Sequence, residues 1–165
     1  MQTQERILAP GFRLLEQPQM FALEKPLPRP SEDSAPYWEA AHRGELRMQQ
    51  CTDCGHIRFP PSLLCPRCLS EKAEWARLSG RGTVFSWIVV HQSQHPAFNA
   101  DTPYNVAIVE LDEGPRLHTN LVDCSNDQIR IGMRVEVVFD RINDQVTLPK
   151  FRPRGDPHGS ERIEL

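Results

Sequence analysis

Hydrophobic and polar positions change rhythm along this chain, and each rhythm predicts a different element. From Asp33 to Leu46 the apolar residues Tyr37, Trp38, Ala41 and Leu46 recur at roughly helical spacing, which predicts a short helix. Ser34 or Asp33 caps it, Pro36 sits near its first turn and Gly44 stops it. Leu46, Met48 and Gln50 then alternate with their neighbours, so the chain is expected to leave the helix as a strand. Beyond residue 74 the pattern is β. Trp75 to Val90 reads as one long strand bent at Gly80 and Gly82. Val106–Leu111 is a second strand, followed by the turn Asp112-Glu113-Gly114-Pro115 and its antiparallel partner Leu117–Val122. Val135, Val137 and Phe139 mark a fourth strand, Asn143-Asp144 a tight turn, and Val146–Phe151 a fifth. The stretch from His91 to Pro103 has no periodicity and reads as a long loop.

Five strands, the first bent by glycine and followed by a long loop, describe a small closed sheet. An OB-fold barrel fits best, because its first strand must pair on two sides and so needs the bend. A five-stranded SH3-like barrel fits the pattern as its competitor. The ends of the chain look different. Pro18, Pro26, Pro28 and Pro30 remove backbone donors and bias their predecessors away from helix, so residues 1–30 are expected to form an extended arm. Its apolar residues (Phe12, Leu14, Leu15, Met20, Phe21 and Leu23) leave two readings open, simple disorder or an arm that docks on a partner. The expected organisation is therefore mainly β: arm 1–30, helix 31–46, a metal module 47–74, a barrel 75–152 and a polar, flexible tail 153–165.

The metal module rests on four cysteines in two pairs, Cys51-x-x-Cys54 and Cys65-x-x-Cys68. Each pair can grip one tetrahedral ion, and together they fill its shell. A full shell leaves no position for water or substrate, so the metal is read as structural. Gly55 suits the positive φ of a tight knuckle, and Pro66 preorganises the second one. Ten residues separate the pairs, enough for one turn and an edge strand. Zinc is the default ion in such a site, with iron as the alternative of the same geometry. His56 is not needed as a ligand. Cys124 stands alone and reads as a small, partly buried hydrophobe.

Composition narrows the function classes. The chain of 165 residues carries a formal net charge of −3, which argues against a dedicated nucleic-acid binder. Zinc ribbons and OB-folds both bind single strands, and Phe85, Trp87 and Phe139 lie on the expected barrel strands, so that class stays as a rival. No apolar run approaches the ~20 residues that span a bilayer, and the first residues lack the pattern of a signal peptide. A cytoplasmic protein with no membrane or nucleic-acid partner is expected.

The ordered set Pro36-Tyr-Trp-Glu-Ala, Gly44-Glu-Leu, Cys51-x-x-Cys54-Gly55, Phe59-Pro-Pro61, Cys65-Pro-x-Cys68, Ser79-Gly-Arg-Gly-Thr-Val84, Pro103-Tyr104, Val109-Glu-Leu and Ile131-Gly-Met-x-Val135 resembles the domain-of-unknown-function 35 family. That family joins a rubredoxin-like zinc ribbon to an OB-fold, and the resemblance covers roughly residues 32–152. It implies an accessory subunit in a hetero-oligomer, expected to be a heterotetramer, with a thiolase-like acyl-CoA enzyme. The small zinc-containing subunit of a benzoylsuccinyl-CoA-type thiolase is one such case, and hotdog-fold enoyl-CoA hydratases are the alternative partners. It also implies that catalytic residues sit in the partner and that this subunit can help shape the CoA channel.

The residues themselves agree with that division of labour. No nucleophile has a base at a motif-like spacing. Gly80-Arg81-Gly82 is followed by a strand, whereas phosphate cradles open onto a helix. His91 and His95 flank the long loop without a carboxylate or serine placed beside them. Candidates for CoA or partner contact are Arg81 and Arg116, which could meet phosphates, together with His91, Phe98 and Tyr104 on or beside the loop, and Tyr37 and Trp38 on the helix. Arg134 and Lys150 are further cationic candidates.

Overall fold

The computed structural model describes residues 24–155. The expected arm is therefore visible only from Glu24 onward, where it carries no helix or strand up to Pro30. Residues 1–23, with the apolar positions of the arm, and 156–165 of the expected tail lie outside the described residues. Helix α1 spans Ala35–His42 and is shorter than the sequence suggested. Its stop is a Schellman turn: Gly44 adopts φ +76°, its amide donates to the Ala41 carbonyl, and the Glu45 amide donates to that of Ala40. Ser34 stands at the N-cap, but its hydroxyl accepts the Ser31 amide at 2.9 Å instead of capping helix amides.

Two antiparallel sheets follow. In the first, β1 (Arg47–Cys51) lies between β2 (Ile57–Arg58) and β3 (Ala73–Arg77). In the second, β4 (Arg81–Val90), β5 (Tyr104–Leu111), β6 (Arg116–Thr119), β7 (Arg134–Arg141) and β8 (Thr147–Pro153) lie in the order β6-β5-β4-β7-β8. The expected single strand from Trp75 to Val90 is therefore two strands in two sheets. The left-handed φ of Gly80, +72°, breaks the chain between them rather than bending it. Trp75 pairs with Gln49 of β1, while Gly82 pairs with both Leu111 and Val135. Gly82 is required there, because an added Cβ would collide with the Glu110 carbonyl oxygen and lie 2.9 Å from Val109 Cγ1.

The five-stranded sheet curls on itself and closes through a parallel bridge between Leu121 and Phe151. The Phe151 amide donates to the Asn120 carbonyl at 3.1 Å, and the Val122 amide to that of Phe151 at 2.8 Å. With β4 paired on both sides, this is the OB-fold, and the SH3-like alternative falls. Asn105 reinforces the closure. It is buried, accepts the Leu121 amide at 2.7 Å, and donates to the Leu121 carbonyl and Asn126.

The core is one cluster. Val84, Val109, Val135, Ile129 and Phe151 fill the barrel, and Tyr37, Leu46, Met48 and Leu78 extend it to the base of the ribbon. Burial of alternate residues along β5, starting at Asn105, follows the period of two. Helix α1 packs on β1, β7 and β8, tying ribbon to barrel. The long loop is not structureless, since Pro96–Asp101 forms a 3-10 turn capped by His95 Nδ1, which accepts the Ala97 amide.

Candidate metal centre and barrel groove

Cys51 ends β1, and Cys54 follows in the first knuckle. Cys65 and Cys68 form the second knuckle between β2 and β3. The four sulfurs lie within 4.8 Å of one another, with Cys51–Cys68 at 3.5 Å and Cys54–Cys65 at 3.6 Å. Zinc–sulfur bonds of about 2.3 Å in a tetrahedron place sulfurs about 3.8 Å apart, so the four fit one ion. The two knuckles share a backbone. The Gly55 amide donates to the Cys51 carbonyl and the Leu69 amide to that of Cys65, both at 2.8 Å. The Cys51 amide donates to His56 and that of Cys65 to Ser70, both at 2.9 Å. Both turns need a left-handed residue, with φ +71° at Gly55 and +61° at Leu69. The sequence signalled the first through its glycine and gave no sign of the second.

The thiols cannot all ionise without a cation. Burial pushes the Cys65 thiol up, but the Arg67 and Cys68 amides outweigh it and bring it down to about 6. The Ser70 amide lowers the Cys68 thiol, yet the other three sulfurs, with partial desolvation, push it up to about 12. A dication held among four sulfurs this close supplies the missing positive charge. Around the centre, Asp53 accepts Ser70 Oγ at 2.6 Å and Lys72 Nζ at 3.2 Å, joining the first knuckle to the chain after the second. Arg58 is buried. Its Nε donates to Gln49 Oε1 and its Nη2 to the Ser62 carbonyl, each at 2.9 Å, which pins the inter-knuckle loop to β1. His56 makes no part of the cluster.

A second feature lies at the barrel mouth. A groove of about 640 Å³ is bounded by Lys25 and Pro28 of the arm, Phe98 and Tyr104 from the long loop and the start of β5, and Asn120 and Lys150. Lys25 Nζ reaches Asp101 at 2.6 Å and lies 5.7 Å from the Phe98 ring centre, so it fastens the described end of the arm to the loop. Sequence reasoning brought Phe98 and Tyr104 forward, and the structure places their rings 6.4 Å apart. It missed Lys25 and the asparagines, because nothing in their spacing announces a shared wall.

The remaining candidates are scattered. Arg116 stacks 3.4 Å above Phe85 and pairs with Glu110 at 2.8 Å. Arg81 begins β4, and His91 follows its end. Neither lines the groove. Tyr37 is buried between Trp38 and Phe59, with ring centres at 5.1 Å from each, and burial raises its phenol well above the ordinary value. Trp38 is half-buried against the core. Arg134 pairs with Asp112, and Lys150 with Asp140. Cys124 packs beside the core, where burial raises its thiol. Of the three aromatics a strand-binding barrel would offer, Trp87 and Phe139 pack on the core, and Phe85, 43% exposed, carries Arg116 stacked on its ring. No helix among the described residues is long and apolar enough to cross a membrane.

Comparison with known proteins agrees with this architecture. Residues 38–74 match the rubredoxin-like zinc ribbon domain of ChsH2, and residues 75–140 match its C-terminal OB-fold domain. A probable enoyl-CoA hydratase alpha subunit of Thermomonospora curvata is 43% identical over 78% of this chain, which spans 40% of that relative's length. A DUF35 domain-containing scaffold protein of Methanocaldococcus jannaschii is 41% identical, over 58% of this chain and 67% of its own. The BbsA subunit of benzoylsuccinyl-CoA thiolase from Thauera aromatica is 28% identical, over 72% and 74% respectively. Among solved structures, the Ltp2-ChsH2(DUF35) aldolase superposes with a TM-score of 0.70 at 43% identity, over 77% of this chain and 98% of that one. The chain belongs to the DUF35/ChsH2 family, in which a rubredoxin-like zinc ribbon is joined to an OB-fold.

Proposed function

We propose that this protein is a non-catalytic accessory subunit whose zinc holds a docking module in shape, bound to a thiolase-like enzyme that acts on acyl-CoA. The observation that carries the reading is the saturated centre: four cysteines within 4.8 Å leave the ion no position for substrate. Relatives named as a scaffold protein and as a thiolase subunit, and a solved aldolase built from Ltp2 and a ChsH2 DUF35 chain, support an assembly role. A hydratase partner is the second reading, favoured by the 43% identity to a hydratase alpha subunit.

Any share in a CoA channel would fall at the barrel groove. Phe98 and Tyr104 offer apolar walls there, and Lys25 and Lys150 offer cations. Arg81, His91 and Arg116 stand away from it and are better suited to partner contact. The test is co-expression with the thiolase-like and hotdog-fold hydratase subunits of the same genome, followed by size exclusion with light scattering. A stable complex with the thiolase-like subunit, two copies of each chain, is expected. Separate elution of both folded proteins would refute the reading, and co-elution with the hydratase subunit alone would establish the second one.

A further inference from the structure

The two knuckles have the same backbone and opposite surfaces. The first is polar, with Thr52, Asp53 and His56 around its turn and Asp53 tied to Ser70 and Lys72. The second exposes Leu63, Leu64 and Leu69, which are 77%, 45% and 72% accessible, beside the exposed ligand Cys68. Leu69 is the telling residue. It occupies the left-handed position that glycine fills without strain in the first knuckle, at φ +61° against +71°. A branched side chain held there is strained, and such strain persists where the side chain serves a purpose. At 72% exposure this side chain buries little against the chain that carries it. Charge sharpens the picture. From Phe59 to Ser70 the only charged side chain is Arg67, which is exposed and makes no ion pair among the described residues.

We propose that the second knuckle, through Leu63, Leu64 and Leu69 with Arg67 at its rim, is the surface that docks on the heteromeric partner. The matching patch on that partner is apolar and carries a carboxylate opposite Arg67. This rests on the accessory-subunit reading above and names the face it uses. Docking there covers the exposed Cys68 sulfur, and it lets the metal order a contact surface directly, because Leu69 follows a ligand without an intervening residue.

Leu69→Gly separates docking from folding. It removes the apolar side chain and relieves the backbone, so the free variant should keep its zinc and melt no lower than the parent. Its affinity for the co-purified partner should fall at least about tenfold, the loss expected for one leucine buried at an interface. Leu63→Ser should act in the same direction, and Arg67→Gln should weaken binding and abolish its salt dependence. Ile88→Ser and Ile131→Ser, at exposed apolar positions on the barrel, serve as comparators and should bind as the parent does. If Leu69→Gly and Leu63→Ser bind normally while the barrel variants do not, the face is misassigned though the accessory role stands. If the parent binds no partner, that role fails and the face with it. If the free chain dimerises and these substitutions dissolve the dimer, the face belongs to a second copy and the proposal is overturned.

Discussion

Removing the metal should open the ribbon tip and leave the barrel closed. Between Thr52 and Lys72 the buried residues are Arg58 and Cys65 alone, so this stretch has no hydrophobic core of its own. The four knuckle hydrogen bonds contribute roughly 1 kcal/mol each, whereas ordering the backbone costs about 1–2 kcal/mol per residue. Thiolate-bound zinc contributes on the order of 10–16 kcal/mol, more than any other contribution available to the tip. The barrel keeps Val109, Val135 and Phe151 fully buried, and none of them depends on the ion. Hydrogen exchange on the chelator-treated protein checks this. Amides of Cys51, Gly55, Cys65 and Leu69 should exchange at the rate of an unfolded chain, while those of β5 stay protected. Cys51→Ser should reproduce the pattern and lower the yield of soluble protein. Native protection at all four knuckle amides after complete loss of zinc would refute the claim that the metal organises the ribbon.

Three further outcomes are expected. Gly82→Ala forces a methyl against the Glu110 carbonyl and Val109 and should cost about 1–3 kcal/mol, read as a lower melting temperature of the barrel. Asn105→Ala leaves the buried Leu121 amide unpaired and should cost about 1–3 kcal/mol, read as a lower urea midpoint without change in slope. Zinc uptake by the metal-free chain at pH 7 should release protons from the ligand cysteines, because thiols on an opened tip are mostly protonated there and zinc binds them as thiolates. Calorimetry in buffers of different ionisation enthalpy measures that release, and an enthalpy independent of buffer would contradict it.

The metal centre was legible because ligand chemistry is written in residue identity: two Cys-x-x-Cys pairs can be read without knowing any fold. The barrel was legible through the alternation along β5 and β7 and the turns at Gly114 and Asn143. What could not be read was set by long-range pairing. Trp75 and Trp87 look like one strand in sequence, and only the register of β3 against β1 assigns them to separate sheets. The long loop concealed its 3-10 segment because the 6 residues of Pro96–Asp101 are too few for a periodic signal. Leu69 was invisible for another reason, since leucine is the wrong residue to announce a left-handed backbone. The Lys25 clamp on Asp101 and Phe98 joins segments more than seventy residues apart, which spacing cannot reveal.

The central claim divides the work: this chain shapes and docks, and the partner carries out the chemistry. Acyl-CoA turnover by the zinc-loaded chain, alone and then in complex with the proposed thiolase-like subunit, tests that division most directly. The account predicts no turnover above the uncatalysed rate for the isolated chain and full activity for the complex. Turnover by the isolated, zinc-loaded chain would contradict it.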